Sequence, residues 1–137
     1  MDNVIIFILL ALYLFMNLSI SWQKVFSKYF DFVFVVEGKK DSASLRAVGF
    51  EKIYEIHKAG VSLHERIEEI VGSISKKDTV CILMDFDKKG KQLYSIVQRE
   101  MQAFGVRLDS SFRKILLSLN VSHIEGLDSF VENHSID

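Results

Sequence analysis

Two similar stretches of sequence decide the fold: FVFVVEGKKD at residues 32–41 and TVCILMDFDKKG at residues 79–90. Each is a continuous apolar run that ends in acidic residues and is followed by lysines. A continuous apolar run is typical of a buried strand in a parallel sheet. Open α/β sheets keep their ligand sites at the carboxyl ends of such strands, so both groups of acids are predicted at one edge of the sheet.

Strand-like and helix-like segments alternate along the chain. Apolar runs predict strands at residues 32–36, 52–56, 79–84 and 121–124. Helical spacing of apolar residues, with N-cap and glycine signals, predicts helices at residues 40–48, 62–71, 91–104 and 111–119. This alternation predicts an α/β fold with a mostly parallel, four-stranded, Rossmann-like sheet flanked by helices.

Composition narrows the class of protein. A length of 137 residues predicts one domain and no second catalytic domain. The formal net charge of −1 excludes a uniformly basic surface, so nucleic acid would have to be bound by a local patch. Cys81 is the only cysteine and lies in an apolar run, which predicts a core thiol in a reducing, cytoplasmic setting.

The N-terminal segment is strongly hydrophobic. Residues 4–16 are all apolar and the next charge is Lys24, so residues 4–22 form a candidate membrane anchor of about 20 residues. Lys24 and Lys28 would keep the rest of the chain on the cytoplasmic side. The alternative is a buried or oligomer-forming helix. We expect an N-terminal hydrophobic helix within residues 1–30, a catalytic domain at 31–128 and a tail at 129–137.

The acids that follow the two strands suit a metal site. Residues two apart in extended backbone face the same way, so Asp85 and Asp87 are predicted to point together while Phe86 turns into the packing. With Glu37 they are expected to converge on one divalent cation, because hard cations prefer carboxylate oxygens. Gly38 and Gly90 are predicted to give the backbone the freedom to turn sharply after each strand.

On these two motifs the chain resembles the Toprim domain. That catalytic module is shared by topoisomerases, bacterial-type primases, overcoming-lysogenization-defect nucleases and a ribosomal-RNA-maturing ribonuclease. The resemblance rests on Val-Glu-Gly-Lys-Lys-Asp at residues 36–41 and Asp-Phe-Asp at residues 85–87, and it covers residues 32–127. The chain is also similar to small stand-alone archaeal Toprim proteins in a later Glu-Gly-Leu at residues 125–127. The resemblance implies a Toprim fold, Glu37 as general acid or base, and Asp85 and Asp87 as ligands of Mg²⁺ or Mn²⁺.

Basic side chains accompany the acids. The lysines next to both motifs are predicted to hold a nucleic acid over the metal, and they are Lys39, Lys40, Lys88, Lys89 and Lys91. Arg46 and Arg113 are further candidates for phosphate contacts, and Glu125 is a further candidate for the metal shell. The four histidines lack paired metal-ligand spacing and are interpreted as structural or exposed.

These features predict a metal-dependent nuclease that acts on structured RNA or DNA. Two alternatives stay open. The same motifs would serve primase-like nucleotidyl transfer, although the template-binding parts of primases are missing. The chain could also be a non-catalytic nucleic-acid-binding or scaffold protein in which the acids bind metal for structure only. Topoisomerase activity is not expected, because no further domain carries the nucleophilic tyrosine and gate that strand passage needs.

Overall fold

A computed structural model describes residues 3–16 and 21–134 of the chain. At its centre is a four-stranded sheet in which every pair of neighbouring strands is parallel. The strands are β1 (Val33–Val36), β2 (Ile53–Glu55), β3 (Thr79–Ile82) and β4 (Arg107–Leu108). Their spatial order is β2-β1-β3-β4, so the strongly apolar β1 and β3 lie side by side in the middle.

Helices cover both faces of this sheet. They are α1 (Asn3–Met16), α2 (Trp22–Phe26), α3 (Lys39–Val48), α4 (Leu63–Ser73), α5 (Lys88–Ala103), α6 (Ser111–Ser118) and α7 (Leu127–His134). Helix α3 connects β1 to β2, α4 connects β2 to β3, and α5 connects β3 to β4. The predicted α/β class, with a parallel sheet flanked by helices, is confirmed.

The two faces of the sheet have different cores. Phe34 of β1 points to one face and its neighbour Val35 to the other, as the pleat of a strand requires. The first face is rich in aromatic rings, and Phe112 of α6 contacts Phe34 and Phe26 there edge to face. The second face is aliphatic and packs against α4 and α5 through Ile67, Ile70, Val97 and Met101. Helices α3 and α5 therefore lie on opposite sides of the sheet.

The predicted strand at residues 121–124 is wrong. The fourth strand is instead Arg107–Leu108, which pairs with the start of β3. The segment at 121–124 crosses the end of β3, where the Phe86 N–H donates to the Ser122 carbonyl at 2.9 Å. Val121 and Ile124 are buried against the aromatic side of the core. Burial alone therefore explains the apolar pattern that predicted a strand.

Segments near both ends of the chain pack on the same core. Trp22 is buried, and its Nε1–H donates to the carbonyl of His134 in α7 at 3.2 Å. The Trp22 ring also contacts the ring of Phe130. The core thus extends upstream of residue 31 and downstream of residue 128. Residues 135–137 of the predicted tail lie outside the described residues.

Helix α1 contacts the core through Ile6 and Leu10, while Val4, Phe7 and Ile8 are exposed. It has 14 residues, whereas a membrane span needs about 20. Across residues 3–16 and 21–134, no helix combines the length and the apolar character that crossing a membrane requires. Residues 17–20 of the predicted anchor at 4–22 lie outside the described residues. The described part of the chain gives that prediction no support.

The cysteine lies inside the sheet. Cys81 is in β3 and is fully buried, as the sequence predicts. Burial raises the pKa of its thiol well above the ordinary value, which keeps it protonated and unreactive.

Candidate metal centre

The strand order creates a crevice at the carboxyl ends of β1 and β3. The chain leaves β1 toward β2 on one side and leaves β3 toward β4 on the other. Parallel α/β sheets bind ligands at such a point, where the connections of neighbouring strands diverge. Glu37 follows β1 here, and Asp85 and Asp87 follow β3. The fold therefore brings both acidic motifs to one crevice.

Asp85, Asp87 and His123 form a compact group of potential ligands. One ligand atom from each lies within 4.8 Å of the other two. The Asp85 Oδ1 accepts the Ile124 N–H at 2.9 Å, and its Oδ2 lies 3.2 Å from Nδ1 of His123. His123 was not singled out from the sequence. The usable signal was its place beside a predicted strand end, although the strand itself proved to be wrong.

Asp87 also starts helix α5. Its Oδ1 accepts the Gly90 N–H at 2.7 Å, which is an N-cap bond, so α5 begins at Lys88 and not at the predicted Lys91. A Cβ on Gly90 would lie only 1.9 Å from the carbonyl oxygen of Asp85. Gly90 is therefore needed for the close approach of helix and loop. The predicted reason, a sharp turn of the backbone, is wrong.

Gly38 has a different role from Gly90. It is the N-cap of α3, with an extended φ of −151° that other residues also adopt. A Cβ there would meet no atom within 4 Å. The predicted need for glycine at this turn is therefore wrong. What the position does provide is a backbone N–H, which donates to Oδ2 of Asp41 at 3.1 Å.

Asp41 is a buried acid in the first turn of α3 that the sequence pattern alone does not mark as part of the site. Its residue surface is 9% exposed, and burial is the main cause that raises the pKa of its carboxyl group. The hydrogen bond from Gly38 lowers that pKa, while the charges of Asp85, Glu37 and Glu125 raise it further. Acids on three other segments thus act on Asp41 inside one crevice. Its place three residues after Gly38, in the first turn of a predicted helix, was the available signal.

Glu37 stands beside the ligand group and is held by basic side chains. Its Oε1 lies 3.2 Å from Nε2 of His57 and 3.7 Å from Nζ of Lys89. Among the described residues, Glu37 is not part of the group whose ligand atoms lie within 4.8 Å of one another. The expected meeting of three carboxylates is therefore replaced by two carboxylates and an imidazole. Glu37 remains partly exposed and open to the crevice.

Several acids lie around the imidazole of His123. The hydrogen bond to Asp85 and then its charge raise the pKa of the imidazole above the ordinary value of 6.5, and Asp87 and Glu125 add to this effect. A protonated His123 partly offsets the negative charge of the crevice. A metal ion needs the neutral ring, so its binding at His123 would displace a proton.

The predicted lysines rim the crevice. Lys39 and Lys40 begin α3, Lys88 and Lys89 begin α5, and Lys91 lies in the next turn of α5. All five are exposed. Both helices start at the carboxyl edge of the central strands, so this edge carries lysines on either side of the acids. Lys89 is the lysine in ion-pair contact with Glu37.

The two arginine candidates lie in different surroundings. Arg46 is seven residues beyond Lys39, about 10 Å along α3, and its Nη1 donates to the Glu51 carbonyl at 3.3 Å. The structure does not bring it to the acids. The guanidinium of Arg113 lies 4.0 Å from the ring centre of Tyr94 and 4.9 Å from that of Phe86. Arg113 therefore packs on the ring of Phe86, the residue between Asp85 and Asp87.

The donor set suits a divalent cation. Carboxylates are ligands of both Mg²⁺ and Mn²⁺, while imidazole favours transition metals. Asp85 and Asp87 each have one oxygen held by a backbone N–H, which orients the other. Glu125 is exposed nearby and acts on both Asp41 and His123. The mixed oxygen and nitrogen donors fit Mn²⁺ at least as well as Mg²⁺.

Known proteins are similar to this chain over about seven tenths of its length. No family model matches the chain. A UPF0292 protein of Thermococcus onnurineus is 31% identical over 100 residues, which cover 72% of this chain and 71% of the relative. The chain belongs to the UPF0292 family. A UPF0292 protein of Pyrococcus horikoshii is 30% identical over 99 residues, covering 72% of this chain and 71% of that protein.

A solved structure also resembles this UPF0292 family member. It is a protein from Aquifex aeolicus with a TM-score of 0.63 and 26% sequence identity. The match covers 76% of this chain and 93% of the other. The name UPF0292 states no activity, so the chemistry has to be argued from the crevice itself.

Proposed function

We propose that this UPF0292 family member is a stand-alone protein of the Toprim type that cleaves phosphodiester bonds of structured RNA or DNA with Mg²⁺ or Mn²⁺. One observation carries the proposal: Asp85, Asp87 and His123 converge beside Glu37, at the edge of the sheet where the connections that leave β1 and β3 diverge. The resemblance of both acidic motifs to the Toprim domain supports the same assignment. The exposed lysines around the crevice support a polyanionic substrate.

Each side chain has a distinct role in this proposal. Asp85, Asp87 and His123 would hold the cation, which when bound supplies positive charge that stabilises a reacting phosphate. Glu37 exchanges a proton with the attacking or leaving oxygen as general acid or base. Its contact with Lys89 at 3.7 Å keeps the carboxylate at the rim of the crevice, where a phosphate would lie. Lys39, Lys40 and Lys88 hold the neighbouring phosphates.

The direct test compares the full chain with its Glu37→Gln variant. Labelled structured RNA and DNA are incubated with each protein in Mg²⁺ and in Mn²⁺, and nucleic-acid binding is measured separately with Ca²⁺. Loss of a general acid or base lowers cleavage by about 10²–10⁴-fold, so Glu37→Gln should abolish cleavage and keep binding. Glu132→Gln, an exposed acid of α7, is the matched control and should cleave normally. No cleavage of RNA or DNA by the unaltered chain in either metal contradicts the proposal.

A second candidate is a non-catalytic nucleic-acid-binding or scaffold protein. It is favoured by the contacts through which the acids already stabilise the fold. Asp87 caps α5, Asp85 binds the Ile124 N–H, and His123 pairs with Asp85. Under this alternative, Asp85→Asn lowers stability, while neither the unaltered chain nor Glu37→Gln cleaves any substrate. Primase-like transfer would appear, once nucleoside triphosphates are added to the same assays, as a new strand made on an unprimed template with release of pyrophosphate.

The setting proposed for this activity is the cytoplasm. A buried, unpaired thiol at Cys81 is compatible with a reducing compartment. Fractionation of cells that express the full chain tests the location, and recovery in an oxidising compartment would contradict it.

A further inference from the structure

An apolar groove opens next to Glu37 on the α4 and α5 side of the sheet. It has a volume of about 350 Å³ and is lined by His57, Lys58, Val61, Leu63 and Leu93, among others. This volume is at the lower end of the range of about 300–1,000 Å³ found for small-ligand pockets. Leu63 and Leu93 pack against the aliphatic core but are only partly covered, so apolar surface faces the groove.

The groove is joined to the candidate metal centre by two side chains. His57 lines the groove, and its Nε2 lies 3.2 Å from Oε1 of Glu37. The His57 N–H also donates to the Glu37 carbonyl at 3.1 Å, which ties the segment after β2 to the end of β1. Leu93, which also lines the groove, is one helical turn beyond Lys89, which contacts the same carboxylate. His57 and Leu93 therefore place the groove next to Glu37.

Charged and apolar side chains meet at this groove. Lys89 is 81% exposed beside Glu37, where it can meet a phosphate. The lining is mostly aliphatic, and the imidazole of His57 offers a flat ring next to Glu37. Lys58 pairs with Glu69 at 2.9 Å, so its charge is partly neutralised there. A ligand that matches this surface carries a negative charge at one end and a flat, largely apolar group at the other.

We propose that the groove binds one nucleobase, from the nucleotide next to the phosphate that lies over Glu37. This inference rests on the proposed function, since it takes the occupant of the crevice to be a nucleic acid. The base packs its faces against Leu63 and Leu93 on one side and stacks on His57 on the other. Proteins recognise unpaired bases by such stacking on aromatic rings, histidine included.

The substrate class follows from this geometry. A base reaches the groove only if it is turned out of a helix, which costs free energy when the base is paired and least when it is already unpaired. The preferred substrate is therefore a nucleic acid with an unpaired nucleotide, in a loop, bulge or end, beside the cleaved bond. A fully paired duplex is the poor substrate.

The first experiment measures binding to the full chain without any cleavage. Methyl signals of Val61, Leu63 and Leu93 are followed by NMR during titration with adenosine 5′-monophosphate and, separately, with ribose 5-phosphate. The two ligands share the phosphate and sugar and differ in the base. Adenosine monophosphate should shift these methyl signals and bind at least 10-fold more tightly than ribose 5-phosphate. Equal affinities, or shifts confined to residues outside the groove, overturn the proposal.

The second experiment fills the groove. Ala59 is exposed at its edge, and Ala59→Leu adds aliphatic volume without a ring on which a base could stack. Ala47→Leu, on the exposed surface of α3, is the matched control. Ala59→Leu should weaken adenosine monophosphate binding at least 10-fold and raise the KM for a substrate with an unpaired nucleotide similarly, with kcat within about 2-fold. Unchanged binding and KM in Ala59→Leu overturn the proposal.

The two proposals fail in different ways. If the chain neither binds a divalent ion nor cleaves, but still distinguishes adenosine monophosphate from ribose 5-phosphate, the proposed function fails and base binding stands. If Glu37-dependent cleavage is found but loops and duplexes are cut equally well, the groove proposal fails and the function stands.

Discussion

The turn from β1 into α3 and the turn from β3 into α5 share a local pattern but hold their acids differently. Both place an acid within three residues of the end of a central strand and lysines at the start of a helix. After β1, Glu37 is held by the basic side chains of His57 and Lys89. After β3, Asp85 is held by a backbone N–H and His123, and it lies with Asp87 in one ligand group.

This difference arises from the neighbours and not from the turns themselves. The residues that contact Glu37 lie just after β2 and in α5, whereas Asp85 is contacted by His123 and by the first residue of the 3₁₀ helix at Ile124–Gly126. Two similar motifs thereby acquire separate roles in the proposed chemistry. In that proposal Glu37 is the general acid or base, while Asp85 and Asp87 are oriented to share a ligand.

The largest difference between the two turns is expected in the stability lost when the glycine of each turn is replaced by alanine. Gly90→Ala should lower the free energy of unfolding by about 3 kcal/mol, because its Cβ would lie 1.9 Å from the Asp85 carbonyl oxygen and force the helix away. Gly38→Ala should change it by about 1 kcal/mol or less, because the space there is open. Urea unfolding of the three proteins measures both values. Equal effects at the two positions would contradict the different roles of the glycines.

The next largest difference is expected in Mn²⁺ affinity, when the histidine that contacts each acid is removed. His123→Ala should weaken Mn²⁺ binding about 10-fold or more, because it removes one of three ligand atoms. His57→Ala, which removes the partner of Glu37, should leave Mn²⁺ affinity within about 2-fold. Isothermal titration calorimetry on the full chain provides the affinities. A loss of Mn²⁺ binding in His57→Ala alone would mean that the cation lies at Glu37.

A smaller effect is expected from the lysines at the start of α5. Lys89→Ala should lower cleavage up to about 10-fold and reduce the salt dependence of binding by about one counterion, because Lys89 lies 3.7 Å from Glu37 at the rim. Lys88→Ala, whose side chain forms no ion pair within the described part of the chain, should affect binding only. Cleavage and binding measured over a salt series separate the two effects. If Lys88→Ala slows cleavage more than Lys89→Ala does, the assigned position of the phosphate is wrong.

The smallest effect is expected on the pH dependence of stability and comes from Asp41, the buried acid in the first turn of α3. The pKa of Asp41 is raised above 3.8, mainly by burial, so the folded chain holds this proton more tightly than the unfolded chain. The raised pKa of Asp41 adds to the free energy of unfolding. This contribution is complete below pH 3.8 and is lost as the pH rises through the pKa of Asp41 in the folded chain. Asp41→Asn cannot ionise, so it should gain stability relative to the unaltered chain as the pH rises from about 4 to 7.

Urea unfolding with a chelator present, repeated at several pH values, checks the Asp41 prediction. Glu132→Gln controls for the removal of one negative charge from an exposed site. A stability difference between Asp41→Asn and the unaltered chain that stays constant with pH would show that burial of Asp41 does not oppose its ionisation.

Most of the fold could be predicted from local patterns. The strands β1, β2 and β3 lie within their predicted segments, and α3 and α4 begin within one residue of the predicted starts. The fourth strand was misplaced because Val121 and Ile124 are buried without strand pairing. The actual β4 is only two residues, Arg107 and Leu108, and carries no periodic signal of its own.

The candidate site could be predicted only in part. Glu37, Asp85 and Asp87 were found because each stands directly after an apolar strand. His57 and His123 were not found as partners, because each meets its acid across 20 or more residues of chain, and neither shows ligand spacing in the sequence. Arg46 was chosen for its charge, but the length of α3 carries it away from the crevice.

The sequence by itself determined the layered α/β class and the edge at which the acids lie, because apolar runs and helix caps act over short distances along the chain. Only the tertiary structure decided which side chains face those acids. Whether an acid meets a histidine, a lysine or a backbone N–H depends on strand order and on how distant segments pack. Those contacts separate the carboxylate of Glu37, which His57 and Lys89 hold, from the ligand group of Asp85, Asp87 and His123.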